Sequence, residues 1–171
     1  AIPGIKVDKG AKPLAGSSEE TITEGLDGLR ERLKEYYDLG ARFTKWRAVY
    51  NIGEKYPSSQ SIKSNAHALA RYAALVQEAQ MVPIVEPEVL MDGSHDIDKC
   101  YTVTTDVLNE CFNELETHKV DLNGTILKPN MIIPGSECKN KSSSEEIAKK
   151  TLECLKKNVP NLEFCECKNF L

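Results

Sequence analysis

No apolar run in the chain approaches the roughly 20 residues that a membrane-spanning helix needs. No charged segment followed by an apolar stretch opens it in the manner of a signal peptide. Basic residues are nowhere massed on one element, and the net charge is −4. A nucleic-acid-binding surface is therefore not the expectation. No glycine-rich dinucleotide fingerprint follows any strand-like run. Cysteine and histidine never fall at zinc-ligand spacing: Cys165-Glu-Cys167 is the one close pair, and His67, His95 and His118 are dispersed. Each histidine reads as structural or solvated, with His67 on a helix beside core residues.

What remains is a globular chain of 171 residues, 40% hydrophobic and 28% charged, long enough for one domain with a sizeable core. Cys100, Cys111 and Cys154 lie on apolar faces of predicted helices, where cysteine acts as a small buried hydrophobe. A reducing cytosol suits them better than a disulfide framework. The chain starts at Ala1 and runs almost at once into strand-like residues, the expectation for a chain entered partway through a fold.

Strand and helix signals alternate. "GIKVD" (Gly4–Asp8), "RFTKWRAVY" (Arg42–Tyr50), "VPIVEPE" (Val82–Glu88) and "GTILKPN" (Gly124–Asn130) read as strands, and Leu162–Cys165 opens a possible fifth. Their starts recur every 38 to 42 residues. Between them lie helical stripes: Leu26, Leu29, Leu33 and Tyr37 after a Ser17/Glu20 capping box and before Gly40; Ile62, Ala66, Leu69, Ala73 and Val76 after Pro57; Cys100, Thr104, Val107, Cys111 and Leu115; and Ala148, Leu152 and Leu155 after a Ser143/Glu146 box. The Lys139–Lys157 segment reads as a capped, solvated helix. Regular alternation of this kind demands parallel strands, in an open doubly wound sheet or a (β/α)₈ barrel. A barrel needs eight units and ~250 residues. The expectation is α/β: a partial TIM barrel of four to five βα units.

Charge gathers at the C-terminal end of each strand, where barrels place their chemistry. Asp8 and Lys9 close the first; Lys45 and Arg47 share a face of the second; Glu86 and Glu88 share a face of the third; Lys128 ends the fourth. A lone lysine there would be read as snorkelling, and the whole set could be a mutually satisfied ion-pair network. The set also describes a chemistry. An ammonium desolvated beside a second cation gives up its proton more readily, leaving an amine that can attack a carbonyl. Lys128 is the candidate nucleophile, Lys45 the neighbouring cation and Glu86 the proton shuttle. Arg47 and Lys9 remain to hold an anionic group such as phosphate.

These residues resemble class I fructose-1,6-bisphosphate aldolases. The likeness runs from about Pro3 to Pro160 through "GIKVDKG", "EGLDGL", "GARFTKWRAV", "SNAHALARYA", "VPIVEPEVL", "DGSHDI" and "LKPNM". It implies that Lys128 forms the Schiff base, Glu86 is the general acid/base and Glu88 is a carboxylate near the lysines. Lys45 would stabilise charge beside the breaking bond, and Arg47 and Lys9 would bind phosphate. It further implies a sugar-phosphate substrate, no cofactor or metal, a cytosolic homotetramer, and a place in glycolysis and gluconeogenesis. Thr44 stands where alanine is common in the family.

The likeness also implies an internal piece, the family's strands 3 to 6 with Leu162 beginning a seventh. The family's upstream cleavage aspartate and its downstream Gly- and Ser-rich phosphate loop have no counterpart here. Residues 1–160 are expected to form the partial barrel, and "NLEFCECKNFL" (residues 161–171) a divergent tail. The alternative expectation is an inactive, aldolase-derived binding or scaffolding protein. A transaldolase on the same fold does not account for "KWR" and "VEPE" around "LKPNM".

Overall fold

In the computed structural model, which describes residues 1–160, the chain begins with β1 (Gly4–Lys6), β2 (Ala11–Pro13) and β3 (Thr21–Thr23). It continues through α1 (Leu29–Asp38), β4 (Phe43–Tyr50), α2 (Ser59–Glu78), β5 (Val82–Val89) and α3 (Ile97–Thr117). A short 3₁₀ turn (Leu122–Gly124), β6 (Ile126–Leu127) and α4 (Ser144–Asn158) complete the described residues. Strands β1, β4, β5 and β6 form one parallel sheet in that spatial order. This is the expected α/β architecture, part of a (β/α) barrel, with β1 and β6 at the ends of the described sheet. No described helix is long and apolar enough to cross a membrane.

Strict alternation sorts β4 into two faces. Thr44, Trp46, Ala48 and Tyr50 are buried toward the helices, while Lys45 and Arg47 point the other way. Trp46 is wholly buried, its ring 5.4 Å from that of Tyr72 on α2. The Tyr72 hydroxyl lies 2.7 Å from Thr44 Oγ1 and donates to the Ile84 carbonyl at 3.3 Å, so its polar end is satisfied inside the core. Helix α2 buries Ala66, Leu69, Ala73 and Val76 of the expected stripe, and α3 buries Cys100, Thr104, Val107, Cys111 and Leu115.

The fourth strand is shorter than its sequence suggests, and two prolines explain why. Along β5 the N–H groups of Val82 and Leu90 donate to Arg42 and Tyr50 carbonyls, so the even-numbered positions face β4. The odd-numbered positions face β6, and two of them are Pro83 and Pro87, which have no N–H to give. Pairing is confined to the rung between them: Ile84 opposite Ile126 and Val85 opposite Leu127. Lys128 extends it by donating its N–H to the Val85 carbonyl (2.9 Å). The Val89 N–H is satisfied by the side chain of Asn130 at 3.0 Å.

The first helix starts later than the Ser17/Glu20 signal implies. Residues 11–23 form an antiparallel hairpin, β2 with β3, because the β-branched run Thr21-Ile22-Thr23 favours strand. Leu26 lies before the helix, and Leu29 and Leu33 carry its buried face. Glu20 caps a different element: it accepts from the N–H and hydroxyl of Ser58 (2.6 and 2.7 Å), the residue that caps α2. Asn65 of α2 grips β3 from beneath, donating to the Thr21 carbonyl and accepting from the Thr23 N–H. Gly25, at φ +134°, lets this segment approach the sheet; a Cβ there would sit 3.0 Å from the Lys9 nitrogen. Gly40, at φ +103°, ends α1 as expected.

The last helix begins at the expected cap, Ser143 accepting from the Glu146 N–H, but of the expected stripe only Leu155 packs against the core. Ala148 and Leu152 are exposed, while Cys154 and Asn158 are buried. Polar contacts set that orientation: Asn158 donates to Thr105 Oγ1 of α3 (3.2 Å), and Thr151 Oγ1 accepts from the Ile132 N–H (2.9 Å). The possible strand at Leu162–Cys165 lies outside the described residues, as does the proposed tail.

Candidate active site

The parallel register places the charged side chains in rows on the face of the sheet away from the helices. Lys6, Lys45, Ile84 and Ile126 occupy one row; Arg47 and Glu86 stand opposite each other in the next. Lys128 follows Leu127 into that second row. Glu88, opposite Val49, begins the third.

The ion pairs run diagonally. Each cation of β4 reaches the carboxylate one row farther along β5, because side chains in a strand lean along its direction. Lys45 Nζ donates to Glu86 Oε2 at 2.6 Å, and Arg47 Nε donates to Glu88 Oε2 at 2.5 Å. Lys128 Nζ donates to the other oxygen of Glu86. Glu86 is therefore the hub of the site, 2% exposed, with one lysine on each carboxylate oxygen. Burial alone would raise its pKa. The hydrogen bonds from Lys128 and Lys45, with the charges behind them, outweigh burial and hold the carboxyl below its ordinary value.

The structure brings together Lys128, Glu86, Lys45, Glu88 and Arg47. Lys128 differs from expectation in its burial: its side chain is 56% exposed, against 32% for Lys45. It stands on the last strand of the described sheet, and no described strand lies beyond it. Asp8, its side chain buried, pins the end of β1 to β4 by accepting from the N–H groups of Arg47 (3.1 Å) and Gly10 (3.0 Å) and from the Lys6 ammonium. Lys9 goes elsewhere. It is exposed and lines a cleft of about 500 Å³ between β3 and α2, with Thr23, Gly25, Ser64, His67 and Arg71.

Lys6 is the residue that sequence reasoning missed. It stands in register with Lys45, and its spacing of two from Asp8 is the signal already used for Lys45/Arg47 and Glu86/Glu88. With it, four cations (Lys6, Lys45, Arg47, Lys128) face three carboxylates (Asp8, Glu86, Glu88). One positive charge remains in excess, suited to an anionic ligand. Chemically, the site offers an amine touching a buried carboxylate, with guanidinium and ammonium groups along one side.

The family described as glycolytic fructose-bisphosphate aldolase class-I matches residues 1–163. A protein of Xanthomonas axonopodis pv. citri named probable fructose-bisphosphate aldolase class 1 is 62% identical over 159 residues, covering 93% of this chain and 48% of the relative. The cytosolic fructose-bisphosphate aldolase 4 of Arabidopsis thaliana is 57% identical over 159 residues, covering 93% of this chain and 40% of the plant protein. Among solved structures, Plasmodium falciparum fructose-bisphosphate aldolase, in complex with TRAP and a small-molecule inhibitor, superposes with a TM-score of 0.91. That match is at 48% identity and covers 93% of this chain and 46% of the other. The chain thus spans about half the length of the relatives it matches.

Proposed function

The chain belongs to the class-I fructose-bisphosphate aldolase family, and we propose that it carries the imine-forming centre of that reaction. The observation behind this reading is the convergence of Lys128 and Lys45 on the two oxygens of buried Glu86. The substrate would be fructose 1,6-bisphosphate and the products dihydroxyacetone phosphate and glyceraldehyde 3-phosphate, with the reverse condensation equally served.

Lys128 must meet the ketone as the free amine. Glu86, hydrogen-bonded to its Nζ, is placed to take the ammonium proton and return it to the hydroxyl of the carbinolamine, which leaves as water. The iminium then accepts the electron pair released when the neighbouring carbon–carbon bond breaks, as the substrate's hydroxyl loses its proton and becomes the aldehyde. The resulting enamine is protonated on carbon, and water releases the ketone and restores Lys128. The iminium is the electron sink, so the chemistry calls for no metal. Lys45 holds Glu86 as an anion and balances charge beside the reacting bond. Glu88 keeps Arg47 extended toward the rim, where Arg47 would meet a phosphate. Lys9 is the second proposed phosphate contact, although it lines the cleft between β3 and α2 and does not join the Lys45–Glu86–Lys128 cluster.

Cytosolic residence fits the cytosolic name of the Arabidopsis relative, and a homotetramer is the assembly proposed for the whole protein. One observation favours the second reading, a non-catalytic family member. Lys128 is half-exposed and ion-paired with Glu86, so the cluster also works as a plain ion-pair network.

Exchange of the α-hydrogens of dihydroxyacetone phosphate in D₂O, followed by NMR, separates the two. The catalytic reading predicts exchange that depends on the chain and disappears in Lys128→Met. Exchange no faster than in buffer would leave the ion-pair network as the better account.

A further inference from the structure

Outside the sheet, the fold brings together two histidines that lie far apart in sequence. His67 stands on α2; Glu114 lies in the last turn of α3, and His118 caps that helix. The Nδ1 atoms of His67 and His118 lie 3.0 and 3.4 Å from the same oxygen, Glu114 Oε2. The two rings meet edge to face, their centroids 4.9 Å apart. One ligand atom from each of the three residues lies within 4.8 Å of the others.

We propose that His67, Glu114 and His118 form a site for a divalent transition-metal ion of the class that favours imidazole and carboxylate, with Zn²⁺ as the probe. Tetrahedral zinc with bonds of 2.0–2.1 Å to nitrogen and similar bonds to oxygen separates its ligand atoms by about 3.3–3.4 Å. The observed oxygen–nitrogen separations of 3.0 and 3.4 Å are close to that edge, so small rotations of the side chains admit the ion. Two imidazoles and one carboxylate are a standard donor set for zinc, and a water takes the fourth position. His118 Nδ1 also lies 2.9 Å from the Glu114 main-chain oxygen. Binding exchanges that hydrogen bond, and the one between His67 Nδ1 and Glu114 Oε2, for bonds to the metal.

The site clips α2 to α3. Its ligands come from both helices, so an ion held there opposes their separation and raises stability by binding the folded state alone. It is separate from the Lys45–Glu86–Lys128 cluster, which projects from the opposite face of the sheet. Arg71 lines clefts beside both histidines, so its charge lowers the affinity relative to an isolated triad.

The experiment is calorimetric titration of the 171-residue chain with ZnCl₂, with Cys165→Ser and Cys167→Ser so that those thiolates do not compete. Thermal melts with Zn²⁺ and with EDTA run in parallel. The expected result is one ion per chain, a Tm about 5 °C or more higher with saturating Zn²⁺, and at least tenfold weaker binding in both H67A and H118A. His67 is half-exposed, so H67A tests the site without opening the core. No binding tighter than millimolar would overturn the proposal. So would tight binding that H67A leaves unchanged, because the ion would then sit elsewhere.

Discussion

Replacing Glu86 by glutamine keeps the shape of the hub and removes its charge. In the native chain, two ammonium groups donate to the carboxylate, each a charge-assisted bond whose contribution runs from about 1.5 kcal/mol upward. The low end applies, because Lys45 and Lys128 retain 32% and 56% exposure and can turn to water instead. Glutamine offers one carbonyl oxygen, so one bond of about 1 kcal/mol survives and the other lysine faces an amide N–H₂. Two bonds of about 1.5 kcal/mol reduced to one of about 1 leave a loss of about 2 kcal/mol at neutral pH. In urea that shifts the midpoint by roughly 1 M for a chain of this size.

The effect has a defined pH dependence. The Glu86 carboxyl is held below its ordinary value of 4.5, so the unfolded chain binds the proton more readily than the folded one. Its contribution is therefore fully present above that ordinary value and is lost as pH falls through the lower folded value. Urea melts of wild type and E86Q at pH 7 and at pH 3 measure it. The difference should be near 2 kcal/mol at pH 7 and shrink at pH 3, below the ordinary value of 4.5, where the unfolded chain already holds the proton. Equal midpoints at pH 7, or a gap that persists undiminished at pH 3, would refute the account of Glu86 as a charged hub.

Other outcomes follow from the packing. Tyr72→Phe strands the buried Thr44 hydroxyl and should cost about 1–3 kcal/mol in urea melts; a neutral change would mean Thr44 finds another partner. Leu69→Ala should cost about 2–5 kcal/mol, while Leu152→Ala, on the exposed face of α4, should stay within about 0.5 kcal/mol. Comparable losses would contradict the observed orientation of that helix. Burial raises the thiol pKa of Cys100 and Cys154 and pushes that of Cys111 up to about 12, with Glu114 adding a smaller push to Cys111. All three should react with a disulfide reagent at least a hundredfold slower in the native chain than in guanidinium, as mass mapping would report.

Long periodic segments were legible in the sequence: α2, α3, β4 and β5 stand within a few residues of their expected places. The hairpin at residues 11–23 was not, because Ser17 and Glu20 do make a polar pair (3.1 Å), but in a turn whose carboxylate serves Ser58, 38 residues away. The face of α4 was legible only at Leu155, because Asn158 and Thr151 find partners across the interface and turn Ala148 and Leu152 outward. β6 looked like a full strand because its own residues suit one; the limit comes from prolines on its neighbour. Within the site, same-face spacing correctly grouped Lys45 with Arg47 and Glu86 with Glu88. Spacing could not give the diagonal pairing, which depends on the register between strands, nor the exposure of Lys128. His67 and His118 looked unrelated because 51 residues separate them, and only the packing of α2 on α3 makes them neighbours.

The proposed chemistry stands or falls on whether Lys128 forms an imine with a ketose phosphate. Incubation of the chain with dihydroxyacetone phosphate, reduction with borohydride and peptide mapping by mass spectrometry test it directly. A stable adduct on Lys128, absent in Lys128→Met and diminished in E86Q, is the expected result. No adduct, or labelling spread over the exposed lysines with no preference for Lys128, would contradict it.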